Sequence, residues 1–146
     1  MFDSLFKRLR AEPAPDPLAA NDARLALAAL LVRLARTDQD YADSEKALIE
    51  RILTERYGIE PPEARTLRQG AEEIETATND TVHFTRLIKA ATPYEDRFAL
   101  VVDLWRLALA DGTRDNAENQ FLRLVVKLVG VNDVDSGLAR QQAAKS

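Results

Sequence analysis

The chain has 146 residues, 46% hydrophobic and 30% charged, with five glycines and no cysteine, enough for one domain with a real core and poor in the turn residues an all-β fold needs. The absence of cysteine excludes disulfides, thiolate metal sites and cysteine nucleophiles. A formal net charge of -4 and a pI near 5.1 repel a phosphate backbone, and with no basic stripe interleaved with aromatics they argue against nucleic acid as a partner.

Phe2, Leu5, Phe6 and Leu9 fall at i, i+3, i+4 and i+7, predicting an amphipathic helix over residues 1–10 whose other face carries Lys7, Arg8 and Arg10. The apolar residues are interspersed with charge and not gathered into a run, so the segment does not read as a secretory signal. Residues 11–17 hold three prolines and read as a semi-rigid linker. The globular part, residues 18–142, follows, and residues 143–146 read as a frayed tail.

A long helix capped by Asp16, with Pro17 in its first turn, is expected to reach about Thr37. A second spans Asp43 to Tyr57 and stops at Gly58, where a left-handed conformation is cheapest. A third, opened by Pro61 and Pro62, runs to about Thr76 and is weakened at Gly70. A short helix over Val82 to Ala91 leads into Thr92-Pro93-Tyr94-Glu95, whose spacing predicts a capping box with Thr92 as cap. The helix it opens is apolar nearly all round through Leu100, Val101, Leu104, Trp105 and Leu107 and ends at Asp111 before Gly112. Helices over about Asp115 to Val129 and Asp133 to Gln141 complete an all-α chain of about seven to eight helices. The most apolar windows, Leu25 to Ala35 and Phe98 to Ala110, are interrupted by Arg33 and by Asp103 with Arg106, and are too short to span a bilayer.

Sliding the chain on itself by 73 residues places Leu31, Arg33, Leu34, Ala35, Asp38 and Glu45 on Leu104, Arg106, Leu107, Ala108, Asp111 and Glu118. Both copies read as an apolar helix ending in Asp, a loop, a Glu and a second helix, which predicts two pseudo-two-fold-related helical hairpins around two central helices. In the second copy Ala110-Asp111-Gly112, Asp115 and Glu118, then Phe121, Leu122, Val125 and Leu128 before Gly130, resemble the tellurite-resistance protein B (TerB-like) family. The first copy reads Thr37-Asp38-Gln39 in place of Ala-Asp-Gly. The resemblance, over about residues 22–139, implies an all-helical bacterial stress-associated domain that binds divalent metal or acts as an interaction module, and it implies no catalytic activity.

Asp38, Asp40, Asp43 and Glu45, with Asp111, Asp115 and Glu118, are the candidate metal ligands, since clustered carboxylates suit a hard cation such as Ca²⁺ or Mg²⁺. Neither loop is an EF-hand: counting from Asp38, Ala42 and Asp43 occupy the fifth and sixth positions and Ile49 the twelfth, and Leu122 closes the second count. The plainer reading needs no ion, because Asp115 and Glu118 have capping-box spacing and acids in a first turn face the positive end of the helix dipole. The single histidine, His83, stands near Asp80 at a helix start and reads as a capping or surface residue. No catalytic or organic-cofactor site is found, and a carboxylate-metal hydrolase is the remote enzyme alternative. Phe2, Leu5, Phe6 and Leu9 with Lys7, Arg8 and Arg10 could instead lie on an anionic membrane surface, dock on a protein partner, fold back on the domain or pair two chains. The expected setting is cytoplasmic, at most peripheral to the inner membrane.

Overall fold

The computed structural model describes residues 17–37, 41–78, 80–110 and 116–145. The predicted helix at residues 1–10, the linker up to Asp16, and Asp38, Asp40, Asp111, Gly112 and Asp115 lie outside the described residues. Among the described residues every regular element is a helix, seven in all: α1 (Pro17–Arg36), α2 (Asp43–Tyr57), α3 (Pro61–Ala77), α4 (Thr81–Ala91), α5 (Tyr94–Leu109), α6 (Asn116–Leu128) and α7 (Asp133–Ala144).

The helix ends follow local chemistry. Gly58 (φ 63°) and Gly130 (φ 84°) take the left-handed conformation after α2 and α6, where a side chain would strain the backbone. Beyond α6 the Val131 amide reaches back to the Val126 carbonyl at 3.1 Å, while that of Gly130 donates to Lys127 at 3.1 Å. Asp80 caps α4 by accepting from the His83 amide at 3.0 Å, and Asn132 caps α7 by accepting from the Asp135 amide at 2.8 Å.

Two expectations are corrected. Thr92 is not the cap of α5: that position is Pro93 (φ -56°, ψ 151°), with no side-chain cap bond. Only two residues separate α4 from α5, and Thr92 already closes α4, with its carbonyl accepting from Arg97 Nε at 3.1 Å. The last helix extends past Gln141 to Ala144, because Ala139 and Ala143 are buried and hold its inner face down to the end.

The 73-residue repeat becomes a repeat of packing. Helices α1, α2 and α3 correspond to α5, α6 and α7. The two most extensive contacts are the equivalent pairs α1 with α3 and α5 with α7. Across the axis α1 meets α5, α2 meets α5 and α1 meets α6. Leu27, Leu31, Ile52, Leu53, Leu104 and Leu122 are buried at the centre, each contributing about 1.5–3 kcal/mol through removal from water.

The repeat is broken by α4, which precedes α5 and packs across onto α1 and, less extensively, α6. Its inward residues are Thr81, Phe84, Thr85 and Ile88. With α4 in place, every residue from Ala26 to Val32 is buried, whereas on α5 the equivalent of Ala26, Ala99, is exposed.

Candidate functional site

The first Asp loop runs from the end of α1 to the start of α2. Its entry is closed by Thr37, whose hydroxyl and amide donate to the Leu34 carbonyl at 2.7 and 3.3 Å. At its exit Glu45 is buried in the first turn of α2, and its Oε1 accepts from the Ala42 amide at 3.0 Å. This is one half of a capping box; Ala42 has no side-chain acceptor for the other half. Asp43, one of the candidate ligands, projects into solvent and lies 3.7 Å from Lys46 Nζ. Glu118, the repeat mate of Glu45, is buried in the first turn of α6 at 4% exposure.

Of the seven acidic candidates, then, the structure places Asp43, Glu45 and Glu118, while Asp38, Asp40, Asp111 and Asp115 lie outside the described residues. Among the described residues no three carboxylate or imidazole groups gather as metal ligands. The Arg33 guanidinium, one turn before the end of α1, lies 5.7 Å from the Phe121 ring in the second turn of α6. The described flanks of the two loops therefore approach each other. The seven candidate residues of the N-terminal helix, Phe2 to Arg10, lie outside the described residues.

The exit of the first loop is clamped by a polar network that sequence reasoning missed. The Tyr41 hydroxyl donates to Glu72 Oε2 at 2.6 Å, and its ring is faced by the Arg36 guanidinium at 5.1 Å and Lys46 Nζ at 5.0 Å. Burial, then the bond to Glu72, pushes the Tyr41 phenol above the ordinary tyrosine range. Arg68, only 9% exposed, joins Glu50 of α2 at 2.7 Å and Glu72 of its own helix. Burial, the largest single influence, works against that charge, but the Glu50 carboxylate, Tyr41 and Glu72 together outweigh it and hold the guanidinium ionised. Arg36 adds a 2.6 Å bond to Glu75. The only advance signal was the i,i+4 spacing of Arg68 and Glu72.

A second charged site lies between α2 and α5, an open groove of about 360 Å³ lined by Glu55, Arg56, Ala99, Val102, Asp103, Arg106 and Gln142. Arg56 Nε meets Asp103 Oδ2 at 2.7 Å, and Arg106 meets Glu55 at 3.0 Å and Asp103 at 3.5 Å. The bond from Arg106 lowers the Glu55 carboxyl below its usual range, against a desolvation effect of opposite sign. Asp103 and Arg106 had already stood out as charges interrupting an apolar helix; their partners on α2 could not be read from one strand of sequence.

Trp105 is half-buried, donating from Nε1 to Ser136 Oγ at 3.1 Å with Arg140 5.3 Å from its ring, so it anchors α7 to α5 as a packing residue. His83 is exposed and takes part in the start of α4 through its backbone. No described helix is long and apolar enough to cross a membrane.

These features define an all-helical domain made of two related halves, each with an Asp loop leading into a helix whose first turn buries a glutamate. The family model for tellurite resistance protein TerB matches residues 24–141, most of the chain, and the chain belongs to that family. No curated protein and no solved structure matches it.

Proposed function

We propose that this TerB-family chain is a non-catalytic binding domain whose two Asp loops take a divalent cation such as Ca²⁺ or Mg²⁺, in the stress-associated setting that the family description implies. The carrying observation is the pairing of Glu45 and Glu118. They are equivalent in the repeat, and both are buried in the first turn of the helix that follows an Asp loop. The approach of Arg33 to Phe121 supports loops that open at the same end of the domain, where carboxylates from both could serve one ion. Oxygen donors in that number suit a hard cation.

The test is calorimetric titration of the full chain with Ca²⁺, Mg²⁺ and Mn²⁺, repeated on Asp111→Asn with Glu118→Gln and on Asp38→Asn with Asp111→Asn. The second pair spares the buried glutamate. Circular dichroism confirms that each variant is folded. Saturable heat in the parent chain, lost in both variants, is expected. No heat with any of the three ions would reduce the carboxylates to helix caps and turn attention to protein or membrane partners.

A further inference from the structure

Exposed charge on most of this domain is of mixed sign. On α2 it comes from Asp43, Arg51 and Glu55, and on α3 from Glu63, Arg65 and Glu73. The face formed by α4 and α6 departs from that pattern. These two helices pack against each other and expose Arg86, Lys89, Arg123 and Lys127. Their one described acidic residue, Glu118, is buried. No described carboxylate pairs with any of the four cations. The C-terminal ends of the two helices lie together: Lys89 Nζ and Arg97 Nη1 are 3.9 and 3.5 Å from the point where a side chain at Gly130 would begin.

The same face leaves apolar side chains in water. Val82 is 48% and Leu124 46% exposed. On α4, Val82, Arg86 and Lys89 stand at i, i+4 and i+7, one stripe outside the buried Thr81, Phe84, Thr85 and Ile88. On α6, Arg123, Leu124 and Lys127 point away from the buried Leu122, Val125 and Val129. Tyr94, 59% exposed, follows α4 in the chain with the Arg97 guanidinium 5.6 Å from its ring. Glu95 and Asp96 are exposed on the same turn, but one and two residues on they point away from the side that Tyr94 shares with Arg97.

We infer that the face of α4 and α6 docks on an anionic phospholipid surface. Helix dipoles account for a cation in each last turn, Lys89 and Lys127. They do not account for Arg86 and Arg123 in mid-helix, nor for Val82 and Leu124 left exposed among them. Unpaired cations with apolar side chains between them suit the headgroup layer, where the charges meet lipid phosphates and the apolar groups enter the acyl boundary. A tyrosine ring suits the same depth. The net charge of -4 does not oppose this, because a screening length of about 8–10 Å leaves the nearest face in control. The cations are spread over two helices and not gathered round a cleft, and the open groove described above belongs to α2 and α5. That spread favours a broad lipid surface over an acidic peptide.

The test is co-sedimentation of the full chain with vesicles of phosphatidylglycerol and phosphatidylcholine in equal parts, beside vesicles of phosphatidylcholine alone. A chelator is present throughout, so the result is independent of cation binding by the Asp loops. Arg86→Gln with Arg123→Gln removes two cations from the face. Arg65→Gln with Lys145→Gln makes the same change in net charge at exposed positions on α3 and at the end of α7. Circular dichroism confirms that each variant is folded. The parent chain should bind the anionic vesicles alone and leave them as salt is raised. The first pair should weaken binding about 25-fold, at about fivefold for each cation lost, and the second pair should leave it unchanged. Leu124→Ser should weaken it several-fold with no change in charge, which adhesion by charge alone would not give. Equal loss in the two pairs overturns the inference, as does a parent chain that ignores anionic vesicles. Loss confined to Lys7→Gln with Arg10→Gln overturns it in favour of the N-terminal segment.

Discussion

Replacing Arg68 by Met keeps the length of the side chain and removes the charge that joins α2 to α3. Glu50 and Glu72, with side chains 21% and 23% exposed, would be left facing each other's field at a nearly buried place. Breaking a buried pair from one side costs about 3–5 kcal/mol. Water reaches both carboxylates here, so solvent screening brings the cost below that range, to about 2–3 kcal/mol. For a chain of this length that corresponds to a fall in Tm of about 8–12 °C. Urea and thermal unfolding followed by circular dichroism measure it, and Arg68→Met combined with Glu72→Gln should lose less than the sum of the two single changes. A loss below about 0.5 kcal/mol for Arg68→Met would show that the network is solvent-screened decoration and that the Tyr41 clamp does not depend on it.

Gly58→Ala should cost about 1 kcal/mol in urea unfolding, from the left-handed backbone alone, since an added methyl meets nothing within 4 Å. Burial pushes the Tyr57 phenol up to about 12, against the opposing pull of Arg56 and Arg24. A folded pKa above the unfolded one means stabilisation fully present below about pH 10 and lost as pH rises towards about 12. The decline in stability measured between those values should be shallower in Tyr57→Phe.

The architecture was legible because its signals are local. Gly58 and Gly130 mark two helix ends by conformational need, and the short polar side chain of Asp80 stands at a helix start. The repeat of Arg33, Leu34, Ala35 and Glu45 in Arg106, Leu107, Ala108 and Glu118 foretold the pairing of halves. The family was legible for the same reason, since its signature lies in one loop and the helix after it. What escaped were contacts between residues far apart in sequence. Tyr41 to Glu72, Arg68 to Glu50 and Arg56 to Asp103 each join different helices or a loop to a helix, and no period of 3.6 residues announces them. The misplaced cap at Thr92 has another origin: its spacing fitted a capping box, yet a two-residue connection made the threonine serve the end of the preceding helix instead.

The unequal enclosure of the two central helices bears on how a duplicated sequence drifts. Ala26, Ala28 and Ala29 on α1 are at most 2% exposed, so any larger residue there must displace a neighbouring helix, at about 1–3 kcal/mol or more. At the mirrored position on α5, Ala99 is exposed, and Asp103 stands where α1 has Leu30. One copy is thus locked to small and aliphatic residues while its twin has room to acquire charge. A saturation scan of the chain should show two related helices with dissimilar tolerance, and the freer one is where new specificity can arise without loss of the fold.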